Sequence, residues 1–147
     1  MVIPEFNERG NLPPGIHNAT WNEVVTRYGT SAHRRDLLEG LLDALRSLKS
    51  AGCSKAYLDG SFVTDKERPN DFDACWETRG VDPTRLDREL GDFSDARRAQ
   101  KDRYGGELFP AEASTDSTGR TFLDSLQADR DTDEPKGIVA LDLGELP

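Results

Sequence analysis

At 147 residues the chain has the size of one domain, and 35% hydrophobic residues supply a modest core, which excludes a multidomain machine and a wholly disordered chain. The 28 acidic side chains outnumber the 19 basic ones for a net charge of −9, with all of the excess after residue 50. Such a surface disfavours a non-specific nucleic-acid binder and suits a basic partner or a site that recruits cations.

The opening residues, 1–19, hold three prolines between Pro4 and Gly15 and read as an extended arm that must dock on the rest of the chain to be ordered. Thr20 and Glu23 have capping-box spacing, with Trp21, Val24, Val25 and Tyr28 as apolar contacts and Gly29 as the stop, so a short helix is expected. Thr30 or Ser31 caps a longer helix whose Leu37, Leu38, Leu41, Leu42, Leu45 and Leu48 form one stripe ending near Gly52. Lys55 to Gly60 reads as a strand closing in a Gly-Ser turn. Asp71 to Glu77 reads as a second strand, in which Phe72, Ala74 and Trp76 alternate with Asp71, Asp73 and Cys75.

Asp82 followed by Pro83 opens a helical stretch carrying Leu86, Leu90 and Phe93, interrupted at Gly91, recapped at Ser94 and over before Gly105. Gly106 to Pro110 is a third strand, STDSTG a polar loop, and Thr121 to Gln127 one or two helical turns. An acidic solvated loop, 128–136, precedes a strand over Lys136 to Leu143. This order points to a single α+β domain over 1–147, a short mixed sheet packed by helices on one face. Cys53 and Cys75 lack metal-ligand spacing and suit buried free thiols, and no run is apolar enough for a signal peptide or membrane span, so a cytoplasmic location is expected.

The chemistry concentrates in Gly60-Ser61 followed at short range by Asp71-Phe72-Asp73. Strand alternation puts both carboxylates on one face. Two like charges side by side on one face repel, so the pair calls for a proton or a cation. Magnesium takes few carboxylates plus substrate phosphates, and a Gly-Ser turn presents backbone N–H groups and a hydroxyl to the same phosphates.

This pattern resembles the nucleotidyltransferase superfamily typified by DNA polymerase beta, whose motif is Gly-Ser or Gly-Gly, a spacer, then Asp-x-Asp or Asp-x-Glu. The longer text LPPGIHNATW, AGCSKAYLDGSFVTDKERPNDFDACW and KGIVALDL is similar to a family of small, largely uncharacterised bacterial and phage nucleotidyltransferase-like proteins, across nearly the whole chain. The resemblance implies a minimal nucleotidyltransferase fold in which Asp71 and Asp73 hold Mg2+ and Glu107 supplies a third carboxylate as catalytic and metal residue, with Asp142 the second choice. Gly60, Ser61 and Lys66 would bind the phosphates of an NTP, ATP first, with Lys136 as a further charge.

The implied reaction transfers a nucleoside monophosphate to a hydroxyl of a protein or RNA, in a toxin–antitoxin or phage-related setting. Transfer RNA is the one nucleic-acid acceptor considered, against a rim of Arg97, Arg98, Lys101 and Arg103. Asp59 departs from the motif, standing where the superfamily places an apolar residue. The reading from a different class is an inactive nucleotidyltransferase-like interaction protein whose acidic last third covers a basic partner.

Overall fold

The computed structural model describes residues 3–115, 119–129 and 131–147. Met1 and Val2 of the arm, the middle of the STDSTG loop and Arg130 of the acidic loop lie outside them. Five strands form one sheet: β1 (Gly15–Ala19), β2 (Lys55–Asp59), β3 (Phe72–Trp76), β4 (Gly106–Pro110) and β5 (Gly137–Asp142), in the order β1-β5-β2-β3-β4. β1 runs parallel to β5 and β3 parallel to β4, while β2 is antiparallel to both of its neighbours, so the sheet is mixed. The arm therefore does dock, and its last five residues become an edge strand held against Gly137–Leu141. GIHNA carries no apolar alternation; only pairing with β5 makes it a strand.

One sheet face is apolar throughout. Ala56, Leu58, Phe72, Ala74, Trp76, Leu108, Val139 and Leu141 are buried there against α1 (Trp21–Tyr28) and α2 (Ala32–Ser50). Thr20 and Glu23 close the expected capping box on α1, and the Ser31 hydroxyl accepts from the Arg34 N–H to start α2. The α2 stripe buries Leu37, Leu38, Leu41, Leu45 and Leu48, with Leu42 half-buried beside them. At α2's middle, a Cβ on Gly40 would overlap the Tyr104 carbonyl oxygen, so this glycine lets α2 and α3 (Ser94–Tyr104) meet backbone to backbone.

Helical cover is not confined to that face, and here the structure corrects the expectation. The short α4 (Phe122–Leu126), capped by Thr121, lays Phe122, Leu123 and Leu126 over Tyr57, Cys75, Ala111, Ile138 and Ala140 on the opposite side. The expected helical stretch from Asp82 is also different: Asp82 and Pro83 open only a 3-10 turn, Pro83–Arg85, and a second, Arg88–Gly91, follows. α3 begins on Phe93 rather than a Ser94 cap, since the Ser94 hydroxyl is engaged by Asp92, and it ends on Gly105 in the left-handed conformation. Both cysteines are buried free thiols. No helix among the described residues is long and apolar enough to cross a membrane.

Candidate functional site

Register, more than sequence spacing, builds the site. Asp59 at the end of β2 pairs with Asp73 on β3, and Asp73 pairs with Glu107 on β4. Directly opposed residues share a sheet face and stand about 5 Å apart, so three carboxylates cross three adjacent strands in one row. Asp71 immediately precedes β3, two residues from Asp73. The row sits on the face that α4 covers farther along, beyond Tyr57 and Cys75, where the sheet changes from packed core to partly open surface.

The Gly-Ser turn meets the same row. Gly60 has φ 79° and ψ −172°, a conformation essentially restricted to glycine, and a Cβ there would overlap the Asp73 carboxylate. Backbone and carboxylate are thus in contact because position 60 has no side chain. Ser61 follows as the first residue of a 3-10 turn, Ser61–Val63, where its carbonyl accepts from the Thr64 hydroxyl at 2.7 Å. Gly60 thus meets Asp73 directly, with Ser61 next to the one and Asp71 two residues from the other.

Lys66 stands apart from that group. Its side chain is exposed on the loop between the turn and β3, and its backbone is what the fold uses: the Lys66 carbonyl accepts from the Arg34 guanidinium. Arg34 is 4% exposed and also donates to the carbonyls of Phe62 at 2.7 Å and Thr64 at 3.2 Å. His33 reaches the Pro69 carbonyl, and the Asp65 N–H donates to the Gly10 carbonyl at 2.9 Å. The loop that carries the motif's spacer is therefore fastened from α2 and from the N-terminal arm. Sequence reasoning missed Arg34, although its signal was there: a cation one turn before Leu37 and Leu38, on the face that α2 buries.

Two acids of the row, Asp59 and Glu107, have cations beside them. Lys136, half-buried, places its ammonium 3.4 Å from Asp59, which is 3% exposed. Arg97 lies 3.2 Å and Lys101 3.0 Å from the Glu107 carboxylate. Those two residues lie one turn apart on the α3 face turned to β4, where Gln100 also accepts the Leu108 N–H at 2.8 Å. The rest of the expected basic rim is spent on acids of its own, Arg98 on Asp95 and Asp102, and Arg103 on Asp87 and Glu89. Asp142 falls out of contention as the third carboxylate. It pairs with Lys55 at the other end of β2, roughly 13 Å from the row along the strand, and caps the 3-10 turn Leu143–Glu145 by accepting the Gly144 N–H.

The fold and this row define an α+β domain with a five-stranded mixed sheet and a carboxylate-lined end at β2, β3 and β4. The chain belongs to a family of unknown function, DUF6932, whose model matches residues 4–142. No curated protein and no solved structure matches it.

Proposed function

We propose that this chain is a magnesium-dependent nucleotidyltransferase that transfers a nucleoside monophosphate from an NTP, ATP first, to a hydroxyl of a macromolecule. The observation that supports it is the juxtaposition of the Gly60-Ser61 turn with Asp73 inside a row of three cross-strand carboxylates. Among the described residues no group of three or more His, Cys, Asp or Glu side chains is placed to hold a metal alone. Magnesium does not need one: it binds through one or two carboxylates with phosphates completing the shell, and Asp71 with Asp73 is a donor set of that kind, hard oxygens in close succession. When bound, the ion would offset phosphate charge and polarise the α-phosphoryl group.

The chain's own residues supply position. Gly60 and Ser61 let the backbone approach the phosphates closely, and Arg34 keeps the following loop in place for that approach. In the transfer, the acceptor oxygen bonds to the α-phosphorus, the bond from that phosphorus to the bridging oxygen breaks, and pyrophosphate leaves with the electron pair. Glu107 would face the acceptor hydroxyl. Arg97 and Lys101 both hold its carboxylate, so its part is to orient the hydroxyl, whose proton passes to water. Because Arg97, Arg98, Lys101 and Arg103 are each engaged with acids, the surface favours a protein acceptor over transfer RNA.

Calorimetric titration of ATP into the chain, with magnesium and then with chelator, tests the reading. Binding that needs magnesium and weakens at least tenfold in Asp73→Asn is expected, together with a magnesium-induced rise in Tm confined to the wild type. No nucleotide binding by the wild type, or equal binding by Asp73→Asn, overturns it and leaves the interaction-protein reading.

A further inference from the structure

Beside the acid row lies an aromatic feature that the proposed transfer does not use. Phe109 stands two residues from Glu107 on β4 and therefore on the same sheet face, one side-chain step of about 7 Å along the strand. Phe122 stacks on it with ring centroids 4.2 Å apart and planes 5° from parallel, and Phe93 stacks on it at 6.1 Å and 11°. The Arg97 guanidinium, which also holds Glu107, lies 5.5 Å from the Phe109 ring centre. Phe93 is 41% exposed, the one exposed aromatic among the described residues, and it belongs to neither buried cluster. A ring kept parallel to a second ring at the surface, with no core to fill, offers a flat apolar plane to a planar ligand.

We propose that Phe93, backed by Phe109, is the stacking platform for the nucleobase of the bound nucleotide, with Arg97 flanking it; the inference rests on the nucleotidyltransferase reading. Continuity argues for this occupant. A nucleotide needs a flat apolar contact at one end and cation and carboxylate chemistry at the other, and here the rings adjoin Arg97, Lys101 and Glu107 on one strand and one helix. The platform contains no side-chain hydrogen-bonding group of its own, so it accepts bases by their π face and prefers purines for their larger area.

Two probes separate this inference from the reading beneath it: magnesium ATP, and magnesium with inorganic triphosphate, which lacks base and sugar. Each is titrated into wild type, Phe93→Ala, Phe93→Leu and, as a control across the sheet, Ile16→Ala. Ile16 is 43% exposed on β1, the opposite edge from β4, roughly 19 Å away. The expected result is a loss of about tenfold or more in ATP affinity in both Phe93 variants, with triphosphate affinity unchanged and Ile16→Ala like wild type for both probes. If Phe93→Leu keeps full ATP affinity, a flat ring is not required and the stacking inference fails. It fails equally if Phe93→Ala binds ATP like wild type, while the nucleotidyltransferase reading stands. If wild type binds neither probe, both fall.

Discussion

Asp95, Ala96 and Arg97 are three consecutive non-glycine residues in the left-handed region, with φ of 50°, 55° and 61°. Each costs about 1 kcal/mol or more, because Cβ crowds the following carbonyl, and such runs persist only where the surroundings enforce them. The enforcing contacts are at the candidate site: Arg97 is fixed by Glu107 and Phe109. Ala96 makes no comparable contact and is exposed, so Ala96→Gly removes strain without removing a partner. The variant is expected to be more stable by about 1 kcal/mol, seen as a rise of about 2–4 °C in Tm by calorimetry. A lower Tm would show that the backbone there is not strained. The acids were legible as candidates because Asp-x-Asp is a local pattern; the cations on Glu107 were named only as a surface rim, since their partner is set by how α3 packs on β4.

Between elements, the decisive contact is the Arg34 guanidinium, which ties α2 to the loop joining the Gly-Ser turn to β3. Arg34→Ala strips three carbonyls of their donor and leaves a gap beneath Phe62, whose ring lies 5.1 Å from the guanidinium carbon. The expected loss is about 2–4 kcal/mol in denaturant unfolding, and Arg34→Lys restores only part of it because one ammonium cannot span the fork. A loss below about 0.5 kcal/mol would mean that the loop holds itself. The elements found by sequence share a cause: helix caps, the leucine stripe and strand alternation are local signals, so α1, α2, β2, β3, β4 and β5 were readable to within a residue or two. β1 was not, because its strand character comes from Gly137–Leu141, more than a hundred residues away. Asp142 stayed a second choice in the sequence for the same kind of reason: alternation identifies a face, while only the antiparallel register of β2 with β5 tells which end of the sheet an acid occupies.

For the molecule as a whole, alkaline pH tests how completely the core excludes charge. Burial pushes the Cys53 thiol from its ordinary 9.0 up to about 11, and the Tyr28 hydroxyl from 10.0 up to about 12. Cys75 is raised by burial with the Asp59 charge adding to it, while Tyr57 and Tyr104 are raised by burial and by donating to Glu77 and Asp87. Each of these groups keeps its proton longer in the folded chain than in the unfolded one. Above about pH 9 the unfolded state therefore binds fewer protons, and stability must fall as pH rises, whereas below that value the whole contribution is present. At about 1.4 kcal/mol per pH unit, the displacement of Cys53 alone amounts to about 3 kcal/mol, lost between roughly pH 9 and 11. Denaturant unfolding at pH 7, 9, 10 and 11 is expected to show a plateau and then a steep decline, with a shallower decline in Cys53→Ala. Both thiols should resist alkylation at pH 8 in the folded chain and react once it is unfolded. Stability that stays level to pH 11, or rapid alkylation of the folded chain, would place these groups in contact with water and contradict the packing on both faces of the sheet.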